Sequence, residues 1–282
     1  MVALGGMFSE RSGIINIALE GIMVIGGLMG VIATQLMPAG SSAFAIVAVS
    51  VLAAAIAGMV YAGLLAFASI NLNADQTIGG TALNLLATAL AMVIANSASA
   101  KLDYSNRAFI YDFGPLTVNV FLFIGLVALI LSYIVLYKTR LGLRLRACGE
   151  HPQAADSVGI NVYKMRYIGV LISGVLGGIG GMAYIIPSVS SWNFEVGVSG
   201  AGFLALAVMI FGQWKPFRIF LAAVFFALFK SLANIASSIP FLAELGWTQN
   251  MYNMIPFIAS MIILAFTSKK SRAPKAEGIP YD

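Results

Sequence analysis

Charge, cysteine and histidine are all scarce in this 282-residue chain. Cys148 is the only cysteine and His151 the only histidine, which excludes an intrachain disulfide framework and a metal site built from several Cys and His ligands. No GxxxxGK[ST] loop is present to cradle phosphates, and no HExxH pair to hold zinc. One histidine in a polar loop cannot supply a Ser–His or Cys–His machinery with a carboxylate behind it. If the protein drives an uphill process, the energy comes from an ion gradient or from another subunit. Charged residues make up 10% of the chain, against about 25% in an ordinary soluble domain. Met1–Gly13 has no basic start followed by an apolar stretch and a cleavage site, so it is not a secretory signal. MVALGGMFSERSG reads either as the last turns of a helix that begins upstream or as a short cytoplasmic N-terminus.

What the chain has in abundance is apolar surface. Hydrophobic residues reach 60% and the mean hydropathy is +0.93, more than a soluble protein of this size can bury. The expected fold is an all-α polytopic membrane bundle, with residues 1–282 forming one transmembrane domain. The 29 glycines suit helices that pack closely in lipid. A net charge of +5 reads as cytoplasmic loops facing anionic headgroups rather than as a nucleic-acid surface.

Counted against the roughly 20 residues needed to cross the hydrocarbon core, eight apolar runs qualify as candidate crossings. They are Ile14–Met37, Ala43–Ile70, Thr81–Ala98, Val118–Tyr137, Tyr167–Pro187, Ala201–Phe211, Phe217–Ile235 and Met251–Thr267. Between the fourth and fifth lies a polar island, residues 138–166, holding six of the sixteen basic residues. Basic loops stay cytoplasmic, so this island fixes the orientation. The tail 268–282, with KKSRAPK, and the connector carrying Lys215 and Arg218 then fall on the same side. The connectors around Glu195 and Glu244, which lack Lys and Arg, fall outside with Lys101 and Arg107. The C-terminus is expected in the cytoplasm.

Within the island, EHPQAADSVG (Glu150–Gly159) predicts a short helix. Pro152 fits its first turn, Ala154 and Ala155 favour helix, and Gly159 can end it. Glu150 is placed favourably near the positive end. Such a helix either enters a cleft on a cytoplasmic partner or lies on anionic lipid.

Polar residues inside the spans are few. Asn16 and Glu20 share one face if a helix starts at Ser12-Gly13. An ionisable group inside a span is a functional-site hypothesis by default, so Glu20 either lines a pathway or accepts hydrogen bonds that hold the bundle together. At the start of the third span, Gln76 and Asn84 offer groups to a polar cargo, while Asp75 and Thr77 are read as helix caps. Gly174, Gly177, Gly178 and Gly181 form a small-residue strip for tight packing. Lys230 is expected to snorkel to water. Trp192 and Phe194 are read as interfacial anchors or as contacts for a docked protein or an entering base.

Two segments carry a family resemblance. FSERSGIINIALEGIMVIGG (Phe8–Gly27) resembles the N-terminal signature of nucleoside-type ABC importer permeases, relatives of the ribose and branched-chain amino acid permeases. The run from Thr139 through Arg166 to Tyr184 resembles their cytoplasmic coupling loop and following helix, and the likeness extends from Gly5 to the basic tail. It implies a permease subunit in a bacterial cell membrane, usually paired with a second, related permease. Cytoplasmic ATP-binding subunits would supply ATP and magnesium chemistry, and an external lipoprotein would deliver a nucleoside. This chain would itself hold no cofactor, bind no nucleic acid and be no enzyme. Gly149, Glu150, His151, Ala154, Ala155, Asp156 and Gly159 would couple to the ATPase, and Asn16, Glu20 and Asn84 would line the pathway. Other readings are an importer of sugars or another small metabolite in the same superfamily, a gradient-driven secondary transporter, and a membrane-embedded enzyme.

Overall fold

The computed structural model describes residues 1–38, 40–97, 106–113, 116–188, 197–235, 251–252, 254–255, 258 and 273–281. The apolar runs fold as helices wherever a polar residue closes their first turn. Ser42 accepts from Ala45 N at the start of α3 (Ala43–Asn71). Asn119 does the same for Phe121 N before α5 (Val120–Lys138), and Thr139 for Gly142 N before α6 (Arg140–Glu150). Asp75 Oδ1 accepts from Thr77 N and Ile78 N at the start of α4 (Gln76–Ser97). The other helices are α1 (Val2–Arg11), α2 (Leu19–Leu36), α7 (Pro152–Ser157), α8 (Val162–Ser188), α9 (Ala201–Phe211) and α10 (Pro216–Ile235).

Among the described residues, five helices are long and apolar enough to cross a membrane: Leu19–Leu36, Ala43–Asn71, Gln76–Ile94, Val120–Lys138 and Val162–Pro187. α9 has 11 residues, about 16 Å at 1.5 Å per residue, roughly half the hydrocarbon core. Most of Met251–Thr267 lies outside the described residues, as do Lys101, Trp192, Phe194, Glu195 and Glu244. The expectation of an all-α chain needs one correction. The connector before α5 contains a short 3-10 turn, Asn106–Phe109, and an antiparallel hairpin of β1 (Ile110–Phe113) and β2 (Leu116–Asn119), registered Ile110 to Asn119 and Phe113 to Leu116.

The chain forms two compact units, residues 1–206 with 274–282, and residues 207–273. In the first, α8 packs backbone against backbone on α2 and α3. A Cβ on Gly178 would lie 2.2 Å from Ala54 O, on Gly174 2.5 Å from Gly58 O, and on Gly181 2.0 Å from Met23 O, while Gly177 faces the Ile22 side chain. Any side chain there would force the helices apart, so the strip joins three helices of this one chain. In the second unit a tight turn leads into α10, with Gln213 and Trp214 in the left-handed region (φ 53° and 52°). Phe211 stacks on Phe225 with centroids 5.9 Å apart, and Lys230 is exposed.

Candidate functional site

The first apolar run, Ile14–Met37, is helical only from Leu19. α1 ends at Arg11, α2 begins at Leu19, and Ser12–Ala18 between them is non-helical. Asn16 and Glu20 therefore do not share a helix face, and no helix starts at Ser12-Gly13. Asn16 donates through Nδ2 to Ser173 Oγ at 2.8 Å. Ser173 is about 16 Å along α8 from Val162, in a helix about 39 Å long at 1.5 Å per residue, so the break reaches mid-depth in that helix. Irregular backbone at that depth is tolerated only when protein or a watery cavity satisfies it.

Here protein satisfies it. Ile14 N donates to Ser9 O at 3.2 Å, and Ser9 Oγ donates to Ile14 O at 2.7 Å. Ile15 N donates to Gln76 Oε1 at 2.7 Å. Asn84 Nδ2 donates to Ile17 O at 2.9 Å, while its Oδ1 accepts from Gly21 N at 2.8 Å. Gln76 and Asn84 lie two turns apart on one face of α4, so a single helix brackets the break with two amides. Each replaces bonds that a continuous helix would have made for itself. At the break, Asn16 Oδ1 and Gln76 Nε2 are buried and have no hydrogen-bond partner among the described residues.

Glu20 closes the other side. Its Oε1 accepts from Gly200 N at 2.8 Å and its Oε2 from Gly202 N at 2.6 Å. These amides are among the orphan donors at the start of α9, where a negative charge is favoured. Gly202 must be glycine for this approach, since a Cβ would lie 2.4 Å from Glu20 N. The N-termini of α2 and α9 thus meet through one half-buried carboxylate.

In the segment 138–166, Pro152 occupies the first turn of α7 and Gly159, at φ 80°, follows it in the left-handed region. His151, Ala154, Asp156 and Gly159 are exposed. Ala155 is buried with Cys148, Val162 and Met165, and Gly149 lies against α1, where a Cβ would sit 2.3 Å from Arg11 O. These two residues face inward. Glu150 ends α6 and meets Arg11 at 3.7 Å, a surface pair of small energetic weight. Burial pushes the Cys148 thiol above its ordinary range, with Arg166 acting the other way, which keeps it unreactive. Among the described residues no three His, Cys, Asp or Glu side chains gather as a metal site.

The family described as "Branched-chain amino acid transport system / permease component" matches residues 1–265. The chain belongs to this permease family. It is 40% identical to the nucleoside ABC transporter permease protein NupC of Lactococcus lactis, covering 99% of this chain and 91% of that protein. It is 39% identical to the guanosine ABC transporter permease protein NupQ of Bacillus subtilis, covering 100% and 92%. A second Lactococcus lactis protein, the nucleoside ABC transporter permease protein NupB, is 27% identical over 57% of this chain and 44% of its own length. No solved structure gives a significant match.

Several residues of this permease's site carried no signal of their own in the sequence. Ser173 is one hydroxyl in a glycine-rich span, and Gly200 and Gly202 contribute only backbone amides. Gln76 was legible as a polar group near the third span, but not as the partner of Ile15.

Proposed function

We propose that this permease is one membrane subunit of an ATP-driven importer for nucleosides. The observation that carries the reading is full-length similarity, at 39–40% identity, to permeases named for nucleoside and guanosine transport. A nucleoside is neutral, hydroxylated and carries a flat base, so its route should pair apolar walls with a few uncharged polar groups. Asn16, with a buried carbonyl oxygen that no group among the described residues uses, fits the part of a group that meets cargo. Glu20 and Asn84 frame the pathway by holding the broken backbone beside it. Gly149–Gly159 is the coupling segment, presenting His151, Ala154, Asp156 and Gly159 to an ATP-binding subunit, with Gly149 and Ala155 seating it. ATP and magnesium belong to that partner. A second, related permease completes the channel, a reading supported by two nucleoside-named permeases in one Lactococcus lactis strain, and an external lipoprotein delivers cargo.

The chain crosses the cell membrane about eight times in this reading, with 201–211, 217–235 and 251–267 adding to the five long helices. Its loop 138–166 and tail are both cytoplasmic. Contact between Ala276 N and Gly149 O, which puts tail and loop on one side, supports that. The test is uptake by the reconstituted complex of labelled nucleosides and, in parallel, simple sugars. Nucleoside uptake without sugar uptake is expected. Sugar uptake alone would move the chain to the other branch of the superfamily.

A further inference from the structure

Residues 274–281 do not trail away from the membrane domain. Ala276 N donates to Gly149 O at 2.9 Å, at the end of α6, and Gly278 N donates to Gly13 O at 3.1 Å, at the helix break. Arg166 Nη2 donates to Ile279 O at 3.0 Å and Tyr163 Oη to Tyr281 O at 3.1 Å, both from the first turns of α8. The Tyr281 ring meets Tyr163 edge-on at 5.6 Å and lies 5.9 Å from the Arg166 guanidinium. Arg166 is 1% exposed. A buried cation needs partners, and here the tail supplies a carbonyl and an aromatic face. Gly278, at φ 77°, makes the turn that passes over Ile15 in the break.

We propose that the C-terminal segment 274–281 is a strap that positions the coupling segment, with Arg166 and Tyr281 as its anchor. It ties α6–α7 to the break at Ser12–Ala18, so a push on α7 reaches Asn16 and Glu20 as the movement of one rigid piece. Without it α6–α7 would be held by α1, α5 and α8. The inference rests on the reading of Gly149–Gly159 as the ATPase-docking segment.

The test uses the full complex in vesicles and reads cargo carried per ATP hydrolysed, together with recovery of the ATP-binding subunit on purification. Two strap variants are compared, a stop after Ala273 and Tyr281→Ala, the second deciding if the first does not reach the membrane. Ala154→Trp, on the exposed face of α7, reports on docking itself. The strap predicts that the ATP-binding subunit still co-purifies and ATP is still hydrolysed, while cargo per ATP falls at least about fivefold, the low end of ordinary coupling between sites. An unchanged ratio in the strap variants, with Ala154→Trp uncoupled, overturns the strap alone. An unchanged ratio in all three overturns the docking reading with it. Loss of the ATP-binding subunit from the strap variants also overturns the inference, since the tail would then be a docking surface.

Discussion

Asn16 and Asn84 are both buried amides, yet they carry different burdens. Asn84 satisfies the Ile17 carbonyl and the Gly21 amide, and a buried backbone group left unmet costs about 1–3 kcal/mol. Asn16 bonds one hydroxyl and keeps its carbonyl oxygen free. Asn84→Leu should therefore lower both thermal stability in detergent and uptake, whereas Asn16→Leu should lower uptake with little change in stability. Equal loss of stability in the two would contradict the division of roles. Glu277 offers a second test. It packs against α1, hydrogen-bonded with Glu10 and near Arg11, which itself pairs with Glu150 of α6, while Arg166 of α8 holds the following turn of the strap. Burial raises its carboxyl from the ordinary 4.5 to about 7, against smaller pulls from Glu10 and Arg11. A carboxyl raised on docking favours the protonated, docked state. Its contribution to strap stability is complete below about pH 4.5 and lost as pH rises through about 7. Protease cleavage of the tail should accordingly increase across that range, and Glu277→Gln should flatten the profile. A wild-type tail equally protected at every pH would contradict it. The sequence displayed Asn16, Glu20 and Asn84 as polar groups in apolar runs. It could not show what they bond, because Asn84 and Glu20 reach residues 63 and 180 positions away.

The helices were legible and the break was not. Ile14, Ile15, Ile17 and Ala18 continue an apolar run that reads as an unbroken span, and the non-helical backbone there is satisfied by Ser9 of α1 and by Gln76 and Asn84 of α4. The short helix after His151 announced itself through Pro152 and Gly159, since both residues act locally. The strap was not legible, because Arg166 and Tyr163 meet partners 113 and 118 positions away in the chain. The glycine strip was legible by spacing, and the structure shows what it touches. Gly178→Leu should cost several kcal/mol, because overpacking forces two helices apart where no side chain can yield. The measurement is recovery of folded protein from the membrane. Normal yield and melting behaviour would contradict the backbone-to-backbone contact of α3 and α8.

The chain as a whole is a bundle of apolar helices in a permease family. Cysteines at Gln153 and Lys275 should be shielded from an impermeant thiol reagent added outside intact cells, and cysteines at Lys101 and Glu244 should react. A reversed pattern would overturn the orientation. The central claim is that this permease moves nucleosides using energy from ATP-binding partners, and uptake into vesicles under controlled energisation tests it most directly. With the complete complex, uptake should require ATP on the cytoplasmic side and persist when proton and sodium gradients are collapsed. Uptake that continues without ATP and stops when those gradients collapse would contradict it.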